Sequence, residues 1–217
     1  QIPPHRVYIE PFLGGGAIMS LMRPALVRIA VDVDAAACAD FASRAAVNGD
    51  AAGVIVINGE AISFLKSYAW QGGEYVYCDP PYLFETRAGG RRKIYAHEFG
   101  EVEQHKELLA LLLTLPCAVS ISGYWSALYS SMLANWRAIC FDVRTRGGSM
   151  ATEWLWMNYE KPVALHDYRY LGDNFRERER LARIRRRWLA RLSRMDDQER
   201  LMLSAAIAES GGTAPSL

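Results

Sequence analysis

Tyr75-Val76-Tyr77-Cys78-Asp79-Pro80-Pro81-Tyr82 is the stretch from which the fold can be read. Its first half is a short apolar and aromatic run of strand type. Pro80 and Pro81 have no backbone N–H to donate, so a sheet ladder cannot pass through them and the strand stops at Asp79. A carboxylate, two carbonyls on residues of restricted φ and an aromatic ring therefore meet at the carboxyl end of a strand. That is where open α/β sheets bind ligands.

Upstream, Val7 to Glu10 reads as a strand ended by Pro11, and Phe12-Leu13-Gly14-Gly15-Gly16 as a turn into a helix from Ala17 to Met22. Glycines let backbone approach a ligand closely, although a flexible turn with no ligand would read the same. Val27 to Val33 gives a second strand, with an alanine-rich helix from Ala35 to Val47 behind it. Asp32 follows Gly16 by 16 residues, near the distance at which nucleotide-binding α/β folds place an acidic residue on ribose hydroxyls. The plainer reading makes Asp34 a helix cap and Asp32 a solvated strand end. Val54 to Asn58 is a third strand, and Gly59-Glu60 leads into a helix from Ala61 to Tyr68. Alternating strands and helices predict a parallel sheet covered on both faces.

Downstream come a helix from Val102 to Leu115, a strand from Cys117 to Ser122 and a helix from Trp125 to Leu133. Arg137 to Thr145 and Thr152 to Tyr159, joined through Gly147-Gly148, read as an antiparallel hairpin. The loop from Leu83 to Gly100 contains Arg87, Arg91, Arg92, Lys93 and Tyr95. Cations beside an aromatic ring, directly after the strand end, point to a phosphate backbone; solvated loop charge is the plainer reading.

The chain has 217 residues, 51% of them hydrophobic, which is enough for a substantial core. No apolar run approaches the ~20 residues of a spanning helix, and the start has no signal-peptide pattern, so the expectation is a cytoplasmic protein with no membrane contact. Cys38, Cys78, Cys117 and Cys140 form no CxxC pair and read as reduced core thiols, with no metal site. The net charge of +1 hides an asymmetry, because Phe175 to Arg200 holds ten Arg against five acidic residues. In that stretch Leu181, Ile184, Trp188, Leu192 and Met195 recur at spacings of three and four, predicting a helix with one apolar stripe. Asp196-Asp197 caps a second helix from about Gln198 to Glu209. Residues 1–170 therefore read as a catalytic domain and 171–217 as a basic helical extension. The extension could lie on nucleic acid, dock on the sheet or join a homodimer.

Taken together, Tyr8-Ile9-Glu10-Pro11-Phe12-Leu13-Gly14-Gly15-Gly16-Ala17, Asp32 and Tyr77-Cys78-Asp79-Pro80-Pro81-Tyr82-Leu83 strongly resemble the Dam-like (D12 class) DNA adenine-N6 methyltransferases, especially their short phage and prophage forms. The resemblance runs from about Ile2 to Tyr159, through Glu85-Thr86-Arg87, Ser122-Gly123-Tyr124 and Thr152-Glu153-Trp154. It implies a Rossmann-like class I S-adenosylmethionine-dependent methyltransferase sheet, mostly parallel with a C-terminal antiparallel hairpin. The cofactor implied is S-adenosylmethionine. Phe12, Gly14 and Gly16 match the family's Phe-x-Gly-x-Gly turn, with Pro11 and Gly15 inside the same segment. Glu10 takes the acidic position ending the first strand, Asp32 the ribose position, and Glu60 with Ala61 the border of the cofactor adenine.

Asp79, Pro80, Pro81 and Tyr82 correspond to the family's catalytic tetrapeptide. If the Asp79 carboxylate and the Pro80 carbonyl accept the two hydrogens of an adenine amine, its lone pair turns toward the methyl donor, and Tyr82 stacks on a base flipped out of the duplex. Tyr82, Thr86, Arg87, Arg91, Arg92, Lys93 and Tyr95 are the expected contacts to double-stranded DNA. A cognate restriction endonuclease is not required. The alternatives are an RNA adenine, a protein amide of the kind served by a related Asn-Pro-Pro-Tyr motif, or a non-catalytic relative that only grips nucleic acid.

The sequence departs from the family pattern twice. The family's Gly-Lys element, which helps hold the cofactor, lies upstream of the first strand, and the sequence opens at Gln1 almost on that strand, so the expectation is that the element is absent or was removed, and removal would put cofactor affinity in question. The large target-recognition insert of longer Dam enzymes does not fit between Glu60 and Tyr75. Recognition is then expected from Leu83 to Gly100, from the hairpin around Arg144 to Gly148, or from the C-terminal helices.

Overall fold

The structure, a computed structural model, describes residues 1–87, 97–144, 148 and 150–210. The chain divides into two compact units, His5–Pro162, and Gln1–Pro4 together with Val163–Leu217.

In the first unit five parallel strands, β1 (Val7–Glu10), β2 (Val27–Asp32), β3 (Val54–Asn58), β4 (Glu74–Cys78) and β5 (Ala118–Gly123), are joined by helices. The helices are α1 (Ala17–Leu21), α2 (Ala35–Val47), α3 (Ala61–Ser67), α4 (Val102–Leu112) and α5 (Ala127–Met132), with a short 3-10 turn at Phe84–Thr86. The antiparallel pair β6 (Arg137–Arg144) and β7 (Met150–Met157) completes one seven-stranded sheet in the order β3-β2-β1-β4-β5-β7-β6. The mostly parallel sheet and the hairpin agree with the alternation read from the sequence. The hairpin's second strand lies inside its first, because β7 and not β6 pairs with β5, with Ser120 opposite Met157.

Strand order reverses at β1, whose neighbours are β2 on one side and β4 on the other. All five parallel strands point their carboxyl ends to one edge, and such a reversal is the place where open α/β sheets take their ligands. The sheet interior is dry: Ile9, Val31, Val76, Val119 and Ile121 are fully buried. They pack with Leu65 of α3 and with Leu108, Leu109 and Leu112 of α4. Tyr75 and Tyr77, two residues apart and so on one face of β4, send their hydroxyls to Ser120 and Ser122 of β5 at 2.9 and 3.1 Å. Polar rungs thus tie the strand that ends at Asp79 to its neighbour.

Cys38, Cys78 and Cys117 are buried free thiols, but Cys140 is exposed, against the expectation of four core cysteines. It lies on β6, the outermost strand, where alternate residues face away from the core.

The second unit contains α6 (Phe175–Leu192) and α7 (Asp197–Glu209). Asn174 caps α6 by accepting the Glu177 N–H, and Asp196 and Glu199 form a reciprocal capping box on α7. The apolar stripe is shorter than the spacing predicts, since α6 ends at Leu192 and Met195 falls beyond it. Trp188 in that stripe is half exposed. Among the described residues no helix is long and apolar enough to cross a membrane.

Candidate active site

Asp79 stands just beyond the last residue of β4 because the two prolines after it end the ladder. One side of it meets solvent, while protein crowds the others. Burial therefore pushes its carboxyl above the usual carboxylate range, opposed by the hydrogen bond from Ser122. The Ser122 hydroxyl donates to Asp79 Oδ1 at 2.8 Å and accepts from the Tyr77 hydroxyl at 3.1 Å. A two-step hydroxyl chain from β4 and β5 thus fixes one oxygen of the carboxylate. Tyr82 donates to Glu153 Oε1 of β7 at 3.1 Å, and its ring stands edge-on to Tyr124 with centroids 4.6 Å apart. The aromatic ring of the tetrapeptide is thereby set by the antiparallel hairpin strand.

The glycine turn and Asp32 meet beside this edge. The Asp32 carboxylate accepts the N–H of Gly14 at 2.7 Å through one oxygen and that of Asp34 at 2.9 Å through the other. Leu13 N–H bonds the Val31 carbonyl at 3.0 Å, so the turn after β1 is tied along the end of β2. A carboxylate oxygen has two lone pairs, so Asp32 keeps acceptor capacity for a hydroxyl. Asp34 accepts from Ala36 and Ala37 as the cap of α2, as the plainer reading of this pair has it. No atom lies within 4 Å of where a Cβ would stand on Gly14 or Gly15, which leaves the turn open as a cradle. Phe12 is part-buried and packs on Phe99. Glu60 caps α3 by accepting the Ser63 N–H at 3.1 Å, and the adjoining Ala61 is buried.

Glu10 is almost wholly buried beneath this edge. Burial raises its carboxyl to about 8, against the opposing hydrogen bonds of the Tyr8 hydroxyl and the Met19 N–H, and with the nearby Asp79 charge adding to the rise. A pKa raised in the folded state gives stability that is complete below the unfolded value near 4.5 and is lost as pH climbs to about 8. Between those limits folding stability should fall by about 1.4 kcal/mol per pH unit from this group. Chemical denaturation of the wild type and of Glu10→Gln at pH 5 and pH 8 measures it. The variant is expected to gain on the wild type as pH rises, and parallel pH curves would refute the assignment.

Arg87 corrects an expectation. Placed by the sequence among the contacts to DNA, it is buried: Nε donates to the Tyr82 carbonyl at 2.7 Å, the guanidinium pairs with Glu98 at 2.7 Å, and it lies over the Phe84 ring at 4.7 Å. A guanidinium held from three sides ties Glu98 to the backbone just after the tetrapeptide and is almost wholly covered. Arg87→Ala is expected to lower stability by about 2 kcal/mol, because the part-buried Glu98 charge loses its partner. Denaturant melts of the variant and the wild type check this, and an unchanged melt would show the ion pair to be dispensable. Thr86 turns its hydroxyl to the Leu83 carbonyl at 2.9 Å. Arg91, Arg92, Lys93 and Tyr95, together with most of the hairpin tip, lie outside the described residues.

Ser122, Glu153 and Tyr77 shape the site without having been assigned a part in it from the sequence. All three stand in segments that carry the resemblance, Tyr77 also as a strand residue, but none by a role of its own.

No protein-family model matches the sequence, and a search of curated proteins finds no relative. Among solved structures, an rRNA methylase from Streptococcus thermophilus is similar at 12% identity over 72% of this chain and 88% of its own, with a TM-score of 0.49. A conserved hypothetical protein from Streptococcus pyogenes is similar at 14% identity over 75% and 93%, again with a TM-score of 0.49. The N-terminal domain of human METTL16 in complex with SAH is similar at 14% identity over 72% and 62%, with a TM-score of 0.47. Similarity of chain path at such identities says nothing of the substrate. The strand order itself assigns the architecture. The chain has the class I S-adenosylmethionine-dependent methyltransferase fold. Within that fold the open glycine turn, Asp32 and Asp79 are brought to the carboxyl edges of three adjacent strands, β1, β2 and β4.

Proposed function

We propose that this protein transfers a methyl group from S-adenosylmethionine to the N6 amine of an adenine in DNA. The observation that most supports this is the acceptor pair at the end of β4. The Asp79 carboxylate is held by Ser122, and the adjacent Pro80 carbonyl receives no hydrogen bond among the described residues.

An exocyclic amine on a base is a poor nucleophile because its lone pair is delocalised into the ring. Two acceptors that take both of its hydrogens favour a more tetrahedral nitrogen and direct the lone pair. The residues present fit the cofactor. The open turn over Gly14 and Gly15 leaves room for it, and Asp32 offers its remaining lone pairs to ribose hydroxyls. When bound, S-adenosylmethionine supplies a methyl group on a sulfonium sulfur, which keeps the electron pair of the broken carbon–sulfur bond. The proton released by the amine goes to Asp79, whose raised pKa makes it a better proton acceptor than a surface carboxylate. Tyr82, set by Glu153 and Tyr124, offers a ring face to the flipped base. Stacking there offsets part of an unpairing cost of about a few kcal/mol. Arg91, Arg92, Lys93 and Tyr95, with the arginines of α6, are the proposed phosphate contacts.

Because the acceptor pair reads an amine and not a sugar, a base in RNA is the second reading; the rRNA methylase among the fold neighbours bears a name on that side. Calorimetry with S-adenosylmethionine, followed by label transfer to duplex DNA and to structured RNA in separate reactions, tests the proposal. Cofactor binding with label on DNA is the expected result. Label on RNA alone would establish the second reading, and no cofactor binding would remove both.

A further inference from the structure

We propose that His105 is a positioning residue for the acceptor pair, acting through the carbonyl of Pro81. The inference rests on the methyl-transfer reading and deepens it by saying what aims the Pro80 carbonyl.

His105 is the first member of a buried stripe on α4 whose other members are Leu108, Leu109 and Leu112. Its Nε2 lies 3.2 Å from the Pro81 carbonyl and its Nδ1 lies 2.7 Å from the Tyr129 hydroxyl. A carbonyl can only accept, so Nε2 carries the hydrogen. In a neutral ring Nδ1 is then bare and accepts from Tyr129. Burial pushes the ring's pKa down to about 4, against the pull of the Phe99 and Pro81 carbonyls, so the neutral tautomer is the form present near pH 7. Tyr129 is itself buried and packs on Trp156 of β7.

The segment that follows Asp79 has three successive carbonyls. That of Pro81 receives His105, that of Tyr82 receives Arg87 Nε at 2.7 Å, and that of Pro80 receives nothing among the described residues. Peptide units are planar and the ring of Pro81 fixes its φ, so one soft torsion, ψ of Pro81, separates the Pro80 carbonyl plane from the Pro81 carbonyl plane. Pinning the Pro81 carbonyl removes that freedom. His105 thereby sets the direction in which the Pro80 oxygen meets the amine.

Single-turnover methyl transfer by His105→Leu, His105→Gln and Tyr129→Phe tests this. His105→Leu is expected to slow the chemical step about tenfold to a hundredfold, the scale of a small misplacement of reacting groups. Cofactor affinity should stay near that of the wild type. His105→Gln supplies an amide donor and should recover most of the rate, and Tyr129→Phe should lose less than His105→Leu. A purely structural role would lower the melting temperature of His105→Leu while leaving its rate unchanged, and that result overturns the proposal. Nitrogen NMR of the wild-type imidazole gives a reading independent of any variant's folding. Hydrogen on Nε2 is expected, and hydrogen on Nδ1 overturns the proposal. If the wild type methylates no nucleic acid, the functional reading fails separately, and the NMR result still decides whether His105 holds the Pro81 carbonyl.

Discussion

Asp79→Ala is expected to lower methyl transfer by at least about a hundredfold to a thousandfold, the cost of removing one preorganised polar group aimed at a reacting centre. The variant should bind S-adenosylmethionine nearly as the wild type does, because the open glycine turn and Asp32 are untouched. It should also fold as well or better: burial already disfavours the ionised Asp79, and an alanine frees Ser122 to give its hydrogen wholly to the Cys78 carbonyl 3.1 Å away. Asp79→Asn separates hydrogen bonding from proton removal. Its amide oxygen can still accept from Ser122 and from one amine hydrogen, so it should retain more activity than the alanine variant while failing to take the released proton. Label transfer in single turnover, with calorimetry of cofactor binding alongside, reads both effects. Wild-type rates in Asp79→Ala would remove Asp79 from the chemistry.

Gly16→Ala carries the second large effect, and here the loss is of stability. Gly16 has φ +64, and a Cβ there would stand 2.4 Å from Cδ2 of Phe41, a buried residue of α2. Left-handed backbone and a clash with a packed ring act together, and about 2–4 kcal/mol is expected. For a chain of this size that is a fall in melting temperature of about 4–16 °C. Gly15→Ala is the matched control, since its Cβ would meet nothing within 4 Å and its φ is not left-handed. It should melt with the wild type yet bind the cofactor more weakly, because the added methyl group would stand in the open cradle. Equal melting of both variants would show that the turn tolerates a side chain at Gly16.

Much of the architecture was readable along the chain because its causes are local. Prolines end β4 after Cys78, glycines turn the chain after β1, and alternating apolar runs set the parallel strands. The inner place of β7 was not readable. It depends on which hairpin strand meets β5, and either order satisfies the same hydrophobic pattern. The site divides the same way. Asp79, Asp32 and the glycine turn announce themselves by type and position, whereas their supports lie far off in the chain: Ser122 is 43 residues from Asp79 and Glu153 is 71 from Tyr82. His105 did leave a trace, a lone polar residue in the leucine stripe of α4. Arg87 misled because charge in a loop reads as solvent-facing until Glu98 and the Tyr82 carbonyl are known to enclose it.

The most direct test of the account is to name the methylated atom. The protein is incubated with S-adenosylmethionine labelled in its methyl group and a mixed pool of duplex DNA and structured RNA, and the pool is digested to nucleosides and resolved by mass. The account predicts label on N6-methyldeoxyadenosine, absent when Asp79→Ala replaces the wild type. Label on a cytosine carbon, or equal label from the wild type and Asp79→Ala, would contradict an acceptor pair built to hold an amine.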